Sequence, residues 1–137
     1  MVGIILTRPQ GGGIPGTAIT GIIIPASPPS APGSNIVVVD TCACMMNSSI
    51  KWIYTILSPA RDKVVTGEVL ALSKLGAPTH NHYAIIGDIV NLPYKLDVIS
   101  IGGVSIGLEI TNLSGNFPNP VDRINYTINI VRIQVIG

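Results

Sequence analysis

The chain has 137 residues, the size at which a polypeptide folds as one domain rather than two. Apolar residues make up 47% of it and aromatic residues only 4%, so we expect a core of aliphatic side chains, mainly Ile and Val. Charged residues make up 11%, against a usual fraction of about 25%, and the formal net charge is +1. This balance argues against nucleic acid as the main partner, because no basic field is available to hold phosphates. A chain with so few charged residues leaves much of its surface uncharged, which favours assembly with other protein chains.

We recognise no targeting signal in the first residues of the sequence. Residues 1–6 are apolar but too few for a signal-peptide core, and no basic stretch precedes them. Residues 9–39 carry no charge, yet prolines and glycines interrupt them so often that no run of about 20 apolar residues remains to cross a membrane. We therefore expect neither a membrane protein nor one secreted by this route.

Residues 1–35 are predicted to form an extended arm, since Pro and Gly recur throughout residues 7–35. Proline fixes φ and removes a hydrogen-bond donor, and glycine weakens regular structure, so neither a helix nor a central strand is expected there. The arm nevertheless contains isoleucines, and burying each large aliphatic side chain gains about 1.5–3 kcal/mol. We expect them to dock on a neighbouring subunit; the alternative is that the arm packs along its own domain. The isoleucines are Ile14, Ile19, Ile22, Ile23 and Ile24.

Residues 36–137 are predicted to form an all-β domain, a β-sandwich or a jelly roll, because apolar residues recur there with a period of two. Only residues 64–75 also fit a helical spacing, and the Val64-Val65 pair together with Gly67 favours a strand. The predicted strands are Ile36–Asp40, Ile50–Ser58, Val64–Leu72, His82–Ile86, Leu96–Ile101, Val104–Thr111 and Ile124–Val135.

Two local features are predicted within these strands. Gly102-Gly103 indicates a hairpin with a two-residue turn. In the last strand the apolar positions change phase at Ile130–Val131, which predicts a β-bulge there. With that bulge, Ile128 and Ile133 would both be buried in a central strand that is paired on both sides.

Two residue pairs could supply metal ligands, Cys42 with Cys44 and His80 with His82. Residues i and i+2 of a strand share a face, so neighbouring strands could bring the four side chains into a Cys₂His₂ zinc site. This spacing is not a common zinc pattern, and buried cysteines and histidines at the start of a strand are ordinary structural residues. We expect no metal, no cofactor and no Cys42–Cys44 disulfide.

No catalytic constellation is evident, and we do not expect an enzyme. The segment 103–107 matches G-x-S-x-G, but it lies inside an alternating strand and not at the strand-to-helix turn that this motif requires. Gly11-Gly12-Gly13 lacks the strand before it and the Lys-Ser/Thr after it that a phosphate-binding loop needs.

The chain resembles small virion structural proteins of tailed bacteriophages, through a loose order of segments in residues 50–135 and through the opening residues 6–12. This resemblance implies a β-sandwich module without an active site, located in a virion that is assembled in the host cytoplasm. The segments are Lys51-Trp52-Ile53-Tyr54-Thr55, Glu68-Val69-Leu70-Ala71-Leu72, His80-Asn81-His82-Tyr83, Ile86-Gly87-Asp88, Leu108-Glu109-Ile110-Thr111-Asn112 and Val131-Arg132-Ile133.

Three functions follow as expectations. The first is a capsid decoration (cement) protein, and the second is a tail, neck or fibre-associated virion protein. The third belongs to another class, a carbohydrate-binding or hydrolytic β-sandwich, which would need exposed aromatic rings, whereas Trp52 lies in an alternating strand where burial is expected. The expected partners are further copies of the chain, in a trimer whose closed ring removes exposed sheet edges, and the major capsid or other virion proteins.

Overall fold

A computed structural model of the protein describes residues 16–26, 35–43, 47–75 and 77–136. Predictions that fall on other positions, among them those for Ile14 and Cys44, lie outside the described residues. The described segments form eight strands and two short 3₁₀ turns, Ser114–Asn116 and Pro120–Asp122, and contain no helix with the length and apolarity needed to cross a bilayer. The strands are β1 Gly16–Ile24, β2 Ile36–Ala43, β3 Ser48–Leu57, β4 Val64–Lys74, β5 Ala77–Gly87, β6 Tyr94–Ile101, β7 Ser105–Asn112 and β8 Tyr126–Ile136.

The strands form two antiparallel sheets, which confirms the predicted all-β sandwich. The five-stranded sheet has the order β1-β8-β3-β4-β5, and the three-stranded sheet has the order β2-β7-β6. The segment 64–74, which also fitted a helical spacing, is a strand.

The core lies between the two sheets and is supplied by every second residue of their strands. Trp52 and Tyr54 are fully buried from β3, and Leu108 and Ile110 are fully buried from β7. In β3 and β4 this alternation buries one face and leaves the other face to solvent or to a partner, whereas no residue of β5 is buried. Gly67 makes room for the Tyr54 ring, since a Cβ at residue 67 would lie 2.7 Å from the Cζ atom of Tyr54.

The predicted hairpin at Gly102-Gly103 is present, but its turn is longer than predicted. Ile101 pairs with Ser105, so the loop contains three residues, and Val104 lies in the loop rather than in a strand. Both glycines have positive φ angles, +63° and +74°, which a side chain would strain. The Val104 N–H then closes the loop by donating to the Ile101 carbonyl.

The last strand is central, as predicted, but the predicted bulge at Ile130–Val131 is wrong. β8 pairs with β3 from Thr127 to Ile136 without a register shift, and the irregularity lies instead in β1, between Ile19 and Ile22. Ile128 is fully buried, whereas Ile133 is half-buried on the opposite face. Because the strand runs straight, its inward positions change from apolar to polar side chains at Arg132.

Part of the predicted arm belongs to the sandwich. Residues 16–24 form β1, an edge strand that pairs with β8 of the same chain, so the division at residue 35 does not separate two structural units. Ile24 is fully buried in the core, Ile19 and Ile22 are half-buried, and Ile23 is exposed. These positions agree with the alternative in which the arm packs along its own domain. A contact of these residues with a neighbouring subunit stays a prediction.

Candidate interaction surface

The side of the five-stranded sheet that points away from the three-stranded sheet exposes many apolar side chains, and we call it the outer face. On β3, Ile50, Trp52 and Tyr54 are buried, so the residues between them lie on the outer face. The strand register extends this face across β1, β8, β4 and β5. Its larger apolar members are Ile23, Ile53, Leu57, Val64, Leu70, Leu72, Tyr83, Ile86, Val131, Ile133 and Val135.

The apolar side chains of the outer face are neighbours of one another. Ser49 of β3 pairs with Leu72 on one side and with Val135 on the other, and these two side chains are 49% and 62% exposed. One step along β3, Lys51 is flanked in the same way by Leu70 and Ile133. Contiguous exposed apolar surface is uncommon on soluble monomers and marks sites of interaction.

The two charges near the centre of the outer face neutralise each other. The Nζ atom of Lys51 lies 2.8 Å from Oε1 of Glu68, in a diagonal cross-strand pair. The hydrogen bond from Lys51 lowers the pKa of Glu68, the Tyr83 hydroxyl contributes in the same direction, and the bond to Glu68 raises the pKa of Lys51. Both groups therefore stay ionised near neutral pH, and the pair adds no net charge to the face.

The three predicted ligand candidates that lie in the described segments do not come together. Cys42 is buried on β2, which pairs with β7 in the three-stranded sheet, whereas His80 and His82 lie on β5, which pairs with β4 in the other sheet. The zinc site considered above needed these strands to be neighbours. Within the four described segments, no group of three or more His, Cys, Asp or Glu side chains is placed to hold a metal ion.

His82 instead belongs to a cluster that the sequence analysis missed. Its Nε2 atom lies 2.5 Å from the Tyr54 hydroxyl, which also hydrogen-bonds to the hydroxyl of Tyr94 on β6. The cluster thus joins the two sheets near β5 and β6. Burial is the main cause of the raised pKa of both tyrosines and of the lowered pKa of His82, so all three groups are held neutral. A glycine inside a strand often marks a place where another group packs closely against the backbone. Gly67 was therefore the one sequence signal that a large side chain, here Tyr54, packs at this point of β4.

The G-x-S-x-G match has no structural basis for catalysis. Ser105 is the first residue of β7 and pairs with Ile101 across the hairpin, so it does not lie on a strand-to-helix turn. The nucleophile of that motif depends on such a turn to expose its hydroxyl. The match therefore supplies no candidate nucleophile.

Comparisons with known proteins find a distant similarity among solved structures. No protein-family model and no curated protein matches the chain. Among solved structures, the chain is similar to the tailspike protein of Acinetobacter baumannii phage AM24, with 7% sequence identity and a TM-score of 0.41. The match covers 86% of this chain and 26% of the tailspike chain, so this chain spans about a quarter of that structure's length. At this TM-score the similarity does not establish a common fold or a common role.

Proposed function

We propose that the protein is a structural protein of a tailed-bacteriophage virion, specifically a decoration protein that binds the capsid and stabilises the shell through contacts between subunits. It acts without catalysis and assembles as a homo-oligomer, a trimer in this proposal. The observation that carries the proposal is the outer face, a broad apolar surface on a protein with few charges.

The outer face suits assembly for a physical reason. Burial of apolar surface is the dominant favourable contribution to most protein association, and it requires little directional precision. The charges that would oppose burial near the centre of the face are already paired, Lys51 with Glu68. A subunit that joins a large shell can therefore bury the centre of this face without leaving an isolated charge.

The aromatic residues favour assembly over sugar binding. All six aromatic residues of the chain lie in the described segments. Trp52, Tyr54 and Tyr126 are buried, Tyr94 and Phe117 are half-buried, and of the six only Tyr83 is exposed. A carbohydrate platform needs exposed rings on which sugars stack, so the carbohydrate-binding or hydrolytic alternative has weak support.

Labelling of intact virions tests the proposal. An antibody raised against the purified protein would be applied to particles of the phage that encodes the chain, and bound gold particles would be located by electron microscopy. Labelling over the capsid surface supports a decoration protein. Labelling confined to the neck, tail or fibres supports the second function, and washed particles without the protein contradict both.

A further inference from the structure

We infer that the outer face of the five-stranded sheet is the surface through which copies of this chain contact one another. The inference rests on the self-association of the proposed function, not on its trimeric number, and names the surface through which two copies meet face to face. Its occupant is a second copy of the chain, and three properties of the face support that choice.

The first property is its size. Five strands of about ten residues, spaced about 4.8 Å apart with a rise of about 3.3 Å per residue, cover roughly 600 Å² in projection. The accessible surface of the projecting side chains is larger than this flat area. A standard protein–protein interface buries about 800 Å² on each partner, so one outer face supplies the area that a stable contact between copies needs.

The second property is the type of polar group on the face. Two identical surfaces pair well only when their polar groups can serve both as donors and as acceptors, and hydroxyl and side-chain amide groups do so. Apart from the central ion pair and Lys74 at the end of β4, the polar residues of the outer face are of these two types. They are Ser49, Thr55, Thr66, Thr79, Asn81, Thr127 and Asn129.

The third property is charge. The ion pair of Lys51 and Glu68 places a positive and a negative group side by side, so the same pair on another copy can lie opposite it with unlike charges facing. On the outer surface of the three-stranded sheet the charges are not balanced in this way. There Asp97 and Glu109 pair directly across β6 and β7 with a single lysine, Lys95, beside them, so two such surfaces would bring together four carboxylates and only two lysines. The five-stranded sheet is therefore the favoured contact between copies.

Size-exclusion chromatography with light scattering tests the inference on the full-length protein. Leu72→Glu and Val135→Glu add charges to the outer face on either side of Ser49, and Val90→Glu serves as the matched control because Val90 is 84% exposed in the loop between β5 and β6. We expect an oligomer for the wild type and for Val90→Glu. Each face variant should weaken association at least tenfold while keeping the β-rich circular dichroism spectrum. A monomeric wild type, or folded face variants that associate like the wild type, would overturn the inference.

A charge exchange tests the same surface without adding charge to apolar positions. Lys51→Glu should weaken association, because it places two carboxylates on each copy, and the double variant Lys51→Glu/Glu68→Lys should restore it. Failure of the double variant to restore association, where both proteins are folded, counts against the inference.

The number of subunits distinguishes the outer-face contact from the trimer of the proposed function. A dimer that the face variants dissociate supports this contact and contradicts the proposed trimer, whereas a trimer insensitive to them supports the proposed oligomer and contradicts this contact.

Discussion

Asp40 on β2 and Arg132 on β8 form an ion pair that joins the two sheets of the sandwich. The Nη1 atom of Arg132 lies 2.8 and 2.9 Å from the two carboxylate oxygens of Asp40, and the indole N–H of Trp52 donates to the same carboxylate at 2.8 Å. The side chains of Asp40 and Arg132 are only 8% and 18% exposed. The carboxylate therefore satisfies two buried donors of the opposite sheet at once.

The first prediction concerns the loss of this carboxylate. Asp40→Ala should lower the free energy of unfolding by about 3–5 kcal/mol, because it leaves a largely buried guanidinium without its counter-charge. Urea denaturation followed by the fluorescence of Trp52 measures the change. Asp122→Ala, at an exposed position in the 3₁₀ turn Pro120–Asp122, should change stability little. A loss below about 1 kcal/mol in Asp40→Ala would show that solvent, and not the carboxylate, compensates Arg132.

The second prediction concerns two neighbours on β1. Ile24 is fully buried in the core, whereas Ile23 projects from the outer face. Ile24→Ala should therefore cost about 2–5 kcal/mol of stability, and Ile23→Ala, its matched control, should cost well under about 1 kcal/mol in the isolated subunit. Thermal unfolding at low protein concentration measures both. Equal effects of the two substitutions would mean that residues 16–24 do not hold this position in the isolated subunit.

The third prediction makes the same comparison on β8. Ile128→Ala should cost about 2–5 kcal/mol because it leaves a cavity in the core, whereas Ile133→Ala should cost less than half as much because that side chain lies on the outer face. Denaturant titration of the two purified variants at low protein concentration gives the ratio for the isolated subunit. Equal costs of that size would mean that Ile133 points into the core, as a bulged strand would require.

The sequence predicted most strands because their alternation reflects burial of a single face. On β8 the alternation predicted the wrong geometry, because not all of its apolar side chains point inward. After Ile130 the inward positions are occupied by Arg132 and Gln134, which donate to Asp40 and to the Ala43 carbonyl across the sandwich. The outward positions are apolar instead. A strand face is buried only where another element packs against it. The residues of the strand itself do not show which of its two faces that is.

The outer face and the tyrosine–histidine cluster could not be predicted from the sequence either. The outer face depends on register, because Leu72 and Val135 are 63 positions apart and become neighbours only through their shared partner Ser49. The hydrogen bond between Tyr54 and Tyr94 likewise depends on how the two sheets pack on each other. Residues 16–24 were predicted to avoid a central strand, and they form an edge strand, where glycine is tolerated.

The last prediction concerns stability in acid. Burial, together with the nearby His80, lowers the pKa of His82 below the ordinary value of about 6.5 for histidine. The unfolded chain therefore binds a proton at residue 82 at a higher pH than the folded chain does. The stability linked to His82 is fully present above pH 6.5 or so, and it is lost as the pH falls from there through the folded-state pKa. The urea midpoint should accordingly be lower at about pH 5.5 than at about pH 7.5.

A neutral replacement isolates the contribution of His82 from that of other titrating groups. Glutamine can still hydrogen-bond to the Tyr54 hydroxyl but cannot take up a proton in this range, so His82→Gln should reduce the fall in midpoint between the two pH values. His80→Gln is the matched control. It removes only the smaller influence on His82, because burial is the larger cause of the shift, and it should leave most of the fall in place. The same fall in His82→Gln as in the wild type would show that protonation of His82 is not coupled to folding, and that the acid sensitivity arises from other groups.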